Sequence, residues 1–447
     1  MSYSKTTKGL LDAASVRPGD RIRITSGSVV VEGLLLPRIE LGDTAALTLK
    51  LDNGYNIGLR PDSDSTVERM DRRQELEQFP TRDFPRRDDL PAISLIATGG
   101  TIASRVSYRT GAVHMLMKPE EVFYSVPELA DVVTFRNVLS PFTIASEDMT
   151  FREYQQLAEA VASELNDGAL GAVLTHGTDT LHYTAAALSF MLRDLRKPVC
   201  LVGAQRSADR GSFDGPINLV CASRIAATSD IAGVTLVMHG ESDDSYCLVT
   251  RGTKVRKLHT SRRDAFRPVN APPIAKAWPD GRIEVLDNAY IKRDDATTVT
   301  ADTAMEEKVA LLKVCPNQDP GILHHYIDKG FRGIVVEATG LGHVPTQTLN
   351  KEKSWLPAIE RARDEGIIVC FAPQCMYGRL DPYVYENARL MLERGVTFLE
   401  DMLPETAYIK LAWVLGHTSD VAEAQRMMLD NIAGEVSPGS DPATFRY

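Results

Sequence analysis

Excess positive charge is missing from this sequence: 50 Lys and Arg stand against 60 Asp and Glu, a net charge of −10. Phosphate contacts need clustered Lys and Arg, so the balance argues against a protein that grips nucleic acid by itself. Joining a nucleic-acid complex through a partner stays open. Long apolar runs are also missing. The stretch VVVEGLLL is broken by Glu32 and falls short of a membrane span. The opening MSYSKTTKGLLDAAS has no apolar core before a cleavage site, so no signal peptide is expected. The six cysteines (Cys200, Cys221, Cys247, Cys315, Cys370 and Cys375) lack the C-x-x-C spacing of zinc sites. Cys200 and Cys370 sit in apolar runs and read as small core residues. These absences predict a cytoplasmic, reduced chain without a metal, off the membrane.

What is present is ordinary globular material: 43% apolar and 25% charged residues over 447 positions. That length predicts two or three domains. The first seventy or so residues carry short runs rich in Val, Ile, Leu and Thr: RIRIT, VVVEGLLL, AALTLKL and YNIGL. Pro18-Gly19-Asp20, Leu41-Gly42-Asp43 and Asp52-Asn53-Gly54 punctuate them as turns. A small β-barrel module over residues 1–72 is expected. Residues 73–90, rich in proline and mixed charge, read as a linker.

From Pro91 the texture changes. AISLIAT, GAVLTHG, PVCLVGA and GVTLVMH read as buried strands, and FREYQQLAEAVASELN and TLHYTAAALSFMLRDL as helices between them. Alternation of this kind predicts a parallel sheet with helices on both faces. A polar stretch, IKRDDATTVTADTAMEE, precedes a second block with KVALLKV, GIVVEAT, GIIVCFA and VTFLE. The expected fold is therefore α/β, with a larger lobe over 91–292 and a smaller one over 308–447.

Function in open α/β sheets collects at the carboxyl ends of strands. Two polar turns sit there. In the first, Thr98-Gly99-Gly100-Thr101-Ile102, paired glycines allow a tight turn that exposes Thr101 and offers backbone N–H groups to an oxyanion. It also reads as a plain strand-to-helix turn. The second, Thr175-His176-Gly177-Thr178-Asp179-Thr180, crowds hydroxyls around one carboxylate, and it also reads as a helix cap before Leu181. A threonine hydroxyl is a poor nucleophile without a base. A lysine among other cations has a lowered pKa, and residues 251–261 (RGTKVRKLHTS) offer such lysines. By charge alone that run also reads as a solvated basic loop.

These segments, in this order, resemble the bacterial-type L-asparaginase family, which carries a T-G-G-T-I turn, an H-G-T-D-T turn and a later lysine before a histidine. The matches are residues 98–102, residues 176–180, and Lys257 with His259. Ser146-Glu147-Asp148-Met149 and Asp401-Met402-Leu403-Pro404-Glu405-Thr406 resemble further family segments, so the likeness spans about residues 91–440. It implies that Thr101 attacks a side-chain carboxamide, and that Thr178, Asp179 and Lys257 move its protons. It implies that Ser146, Glu147 and Gly100 contact the substrate, Ser146 and Glu147 at its α-amino and α-carboxylate groups. Glu147 departs from the Gln common in ordinary asparaginases. Thr98 is expected to support its turn, and His176 and His259 to act as structural hydrogen-bonding residues.

Within that family, three features resemble the archaeal GatD group of glutamyl-tRNA(Gln) amidotransferases. They are the N-terminal module with LDNGYNIG, the run from Thr101 through YRTGAV, and AYIKLAWVLG. This likeness implies a chain that frees ammonia from glutamine or asparagine for conversion of Glu-tRNA(Gln) to Gln-tRNA(Gln). It implies no cofactor in this chain. ATP and Mg would be used by a GatE-like glutamyl-tRNA amidotransferase partner that also makes most tRNA contacts, and the chain would be a homodimer within a heterotetramer. The alternatives are a free-standing L-asparaginase with an extra module, and an inactive scaffold.

Overall fold

The structure is a computed structural model that describes residues 3–38, 43–51, 56–71, 87–100, 102, 104–106, 113–115, 126–207 and 212–445. Most of the expected linker, the Asp52-Asn53-Gly54 turn, and Thr101 lie outside the described residues.

The N-terminal part begins with a helix that strand-like patterning does not predict, Lys5–Ala13. Ser4 caps it by accepting from the Thr7 N–H, and Leu11 is its buried apolar anchor. Strands follow at Arg21–Ser26, Val29–Leu35, Leu47–Lys50, Asn56–Leu59 and Thr66–Asp71. In Arg21–Ser26, buried Ile22 and Ile24 alternate with more exposed residues, so one face packs and the other meets water. The module is an antiparallel sheet with Arg21–Ser26 held between Val29–Leu35 and Thr66–Asp71. Thr66–Asp71 is a strand that the sequence reading passed over. Among the described residues, no pairing joins the two edge strands, Asn56–Leu59 and Thr66–Asp71.

The larger lobe holds an eight-stranded sheet. Thr134–Leu139, Ala92–Ala97, Ala172–Thr175, Pro198–Val202 and Gly233–His239 run parallel, in that spatial order. Ala172–Thr175, Pro198–Val202 and Gly233–His239 are buried at every position. Sheets covered on both faces require such unbroken runs. Beyond Gly233–His239 the sheet turns antiparallel through Cys247–Arg251, Ala275–Ala277 and Ile283–Val285, so it is mixed rather than wholly parallel. The smaller lobe holds four parallel strands: Val309–Lys313, Gly333–Ala338, Ile368–Pro373 and Thr397–Phe398.

The two lobes share one core. Helix Leu181–Met191 of the larger lobe packs on helix Pro404–His417 of the smaller. Their apolar faces meet at Phe190 and Trp413, whose rings stack with centroids 6.3 Å apart. Among the described residues, no helix is long and apolar enough to cross a membrane.

Candidate active site

Two neighbouring strands deliver the site. Ala92–Ala97 and Ala172–Thr175 are parallel partners, with Ala97 opposite Thr175. The two polar turns therefore leave the sheet side by side. Thr98 locks them together: its N–H and its hydroxyl each donate to the Thr175 carbonyl, at 3.0 Å. Gly99 and Gly100 follow with φ of +107° and +81°, a region that residues with a Cβ rarely enter.

Glycine is also required by contact. A Cβ on Gly100 would lie 2.3 Å from the Gly177 nitrogen, and one on Gly177 would lie 2.7 Å from Ser146 Cβ. One on Gly203, just past the next strand, would lie 2.7 Å from Thr178 Cγ2. Backbone contact through these glycines stacks the turns that carry Thr98, Ser146 and Thr178. Ile102, the next described residue after Gly100, is buried.

Lys257 reaches the same place from another element. It ends the short strand Val255–Lys257, which pairs with Phe266–Pro268. Its Nζ donates to Thr178 Oγ1 at 3.0 Å and to Asp179 Oδ1 at 2.6 Å. The lysine side chain is 9% exposed and that of Asp179 is 66% exposed. One lysine Nζ in contact with both a hydroxyl and a carboxylate has the geometry of a proton relay.

Ser146 is buried at the start of a single helical turn, Ser146–Asp148, while Glu147 beside it is exposed. The Thr180 hydroxyl donates to the Ser146 carbonyl at 2.7 Å, tying this turn to the one that carries Thr178. A capping box at Thr150 and Glu153 then starts helix Phe151–Asn166. Gly100, Ser146, Thr178, Asp179 and Lys257 are therefore brought together by contact, and Glu147 stands next to Ser146.

The histidines do other work. His176 is fully buried between the Gly177 carbonyl on Nδ1 (2.7 Å) and the Thr184 hydroxyl on Nε2 (2.8 Å). Burial pulls its pKa down to about 4. His182 is pulled to about 3, first by burial and then by the nearby cations of Arg256 and Lys257. Nδ1 of His259 accepts the N–H groups of Ser261 and Arg262 and so shapes a turn. The low values of His176 and His182 set an acid limit. From the ordinary value of 6.5 down toward about 4, the unfolded chain binds protons that the buried imidazoles refuse. Their stabilisation is whole above about pH 6.5 and is lost as pH falls through that window. Melting temperature should drop between pH 6.5 and 4, and His176→Gln should flatten part of the slope. An unchanged slope in the variant would remove His176 from this account.

The basic run is not a free cationic surface. Arg251 pairs with Asp287, Lys254 with Asp401, Arg256 with Glu405, and Lys257 with Asp179. Arg262 and Arg267 share Asp264, and Arg263 pairs with Asp244. Charge alone favours a solvated loop, but here each Lys and Arg has a carboxylate. What sequence reasoning missed is that Lys254 pairs with Asp401 and Arg256 with Glu405. The available signal was charge inside apolar surroundings, in TKVRK and DMLPET. No group of three or more His, Cys, Asp or Glu among the described residues could hold a metal ion.

The asparaginase N-terminal model matches residues 92–290, and the glutaminase/asparaginase C-terminal domain matches 308–428. The GatD N-terminal domain matches 16–70. The chain is 50% identical over 433 residues to the D-type glutamyl-tRNA(Gln) amidotransferase chain of Pyrococcus horikoshii, covering 96% of this chain and 97% of that one. It is 49% identical to that of Thermococcus kodakarensis, over 96% of each. The chain belongs to the GatD family of glutamyl-tRNA(Gln) amidotransferases. Among solved structures, the thermostable L-asparaginase from Thermococcus kodakarensis aligns with a TM-score of 0.69 and 28% identity, covering 78% of this chain and all of that one. A GatD chain is thus an asparaginase-like α/β body with an added N-terminal antiparallel sheet.

Proposed function

We propose that the chain is the amide-hydrolysing component of a tRNA-dependent amidotransferase, releasing ammonia from glutamine or asparagine. The observation that carries this reading is Lys257 Nζ, held 3.0 Å from Thr178 Oγ1 and 2.6 Å from Asp179 Oδ1 beside the Gly100 turn. Thr101 Oγ attacks the side-chain carbonyl carbon. Its proton passes to the Thr178–Lys257–Asp179 relay. Backbone N–H groups of the glycine turn receive the oxyanion. The C–N bond breaks and ammonia leaves with the relayed proton. Water then hydrolyses the acyl-threonine, freeing the dicarboxylic amino acid and restoring Thr101. Gly100, Ser146 and Glu147 hold the substrate, with Ser146 and Glu147 at its α-amino and α-carboxylate end.

The released ammonia serves a GatE-like partner, which activates the glutamate of Glu-tRNA(Gln) using ATP and Mg. The pairing of every Lys and Arg in residues 251–267 supports leaving most tRNA contacts to that partner. A cytoplasmic homodimer inside a heterotetramer fits the family. The test is ammonia release from glutamine by the chain with a GatE-like partner, with and without Glu-tRNA(Gln). Stimulation by the tRNA, with formation of Gln-tRNA(Gln), is expected. Rapid hydrolysis of free asparagine by the chain alone, indifferent to partner and tRNA, would instead make it a free-standing asparaginase.

A further inference from the structure

The strand carrying Lys257 is gripped by the smaller lobe at three of the four residues before it. The Thr406 hydroxyl donates to the Thr253 carbonyl at 3.0 Å, and the Thr253 hydroxyl donates to the Ala433 carbonyl at 3.0 Å. Lys254 and Asp401 form an ion pair at 2.7 Å with both side chains buried. Arg256 pairs with Glu405 at 2.8 Å and places Nη1 3.7 Å from Met376 Sδ. Successive residues of a strand point to opposite faces. So while Lys257 points at Thr178 and Asp179, Arg256 points the other way, into the smaller lobe.

Glu405 is an odd residue for its place. It sits in the first turn of helix Pro404–His417 and is 5% exposed. One carboxylate oxygen takes Arg256, and the other, Oε2, has no hydrogen-bond partner among the described residues. Burial pushes its carboxyl pKa upward, and only then does Arg256 pull it back. A half-satisfied carboxylate in this position disfavours the fold. Helix initiation does not need it buried, since a first-turn Glu serves the helix dipole as well from the surface.

We infer that Glu405, through Arg256, is a positioning residue for Lys257: the smaller lobe sets how far the Lys257 ammonium extends toward Thr178 and Asp179. The inference rests on the proposed relay. Its experiment is a double-mutant comparison on the full chain, in complex with its partner where that is needed for turnover. Glu405→Gln keeps the shape and removes the charge that draws Arg256. It should lower kcat by about ten- to a hundredfold, the scale that a misplacement of about 1 Å carries. KM and melting temperature should stay near the parent. Glu405→Asp, which keeps the charge on a shorter arm, should recover part of the loss. In a Lys257→Met background, Glu405→Gln should cost nothing further, because the residue acts through the lysine.

An unchanged kcat overturns the inference. So does a change confined to KM, or an equal loss in the Lys257→Met background. If Glu405→Gln does not fold, Arg256→Lys carries the same test: it keeps the cation and loses the planar fork, and parental kcat there overturns the inference. Failure of the underlying relay looks different, because Lys257→Met alone would then keep its activity.

Discussion

The Lys257→Met chain is expected to fold like the parent and to turn over glutamine about 10²–10⁴-fold more slowly, the range over which a positioned acid or base acts. The geometry separates the two readouts. Methionine fills nearly the volume of the lysine stem, and that side chain is only 9% exposed, so packing survives. The carboxylate left behind, Asp179, is 66% exposed, so water can solvate it and no buried charge is stranded. What disappears is the only cation shown within hydrogen-bond reach of both Thr178 and Asp179 among the described residues. The loss should fall on kcat with KM little moved, since substrate binding is assigned to Gly100, Ser146 and Glu147. Thr101→Ala should fail to a similar degree, with its fold intact. Measurement of kcat, KM and melting temperature decides the matter. Parental kcat in Lys257→Met would take the lysine out of the chemistry, whatever its hydrogen bonds.

How much of this was legible beforehand differs element by element. The buried strands of the larger lobe were plain, because Ala172–Thr175 and Pro198–Val202 are apolar almost throughout and end at polar turns. The adjacency of those turns was not. It depends on which strands pair, and the parallel pairing of Ala92–Ala97 with Ala172–Thr175 spans a separation that no local pattern encodes. Lys257 could be picked out only by family resemblance; by charge it is one of several cations in a short run. The antiparallel end of the sheet was missed because Cys247–Arg251 merges into that run and Ala275–Ala277 is only three residues long. The opening helix was missed for a similar reason: Lys5–Ala13 is short, and its cap Ser4 precedes only two leucines. The pairings of Lys254 and Arg256 lie across the lobe boundary, 147 positions from Asp401 in the first case, where sequence spacing carries no information.

Lys410→Met should destabilise the chain by about 3–5 kcal/mol, the cost of breaking a buried ion pair by removing one partner. Lys410 lies in the apolar helix Pro404–His417, and its Nζ stands 2.6 Å from Glu435 Oε1 with both side chains wholly buried. The ammonium also donates to the carbonyls of Met428 and Asp430, while Glu435 accepts the N–H groups of Ile432 and Ala433. The pair therefore fastens the C-terminal segment. From that segment Ala433 holds the Thr253 hydroxyl, and the Ser437 N–H donates to Asp401 Oδ1. Removing the lysine strands a carboxylate in the core and loosens the segment that steadies both Thr253 and Asp401. Burial already draws the Lys410 pKa down, against the upward pull of Glu435, which marks how little solvent the site offers. Calorimetry should show a clear drop in melting temperature for Lys410→Met. The double variant Lys410→Met/Glu435→Gln should regain part of it, because the neutral amide strands no charge, while its single carbonyl oxygen keeps only one of the two N–H groups that Glu435 accepts. A single variant that melts with the parent would show that the pair adds nothing to stability. A double variant no better than the single would place the cost in lost packing.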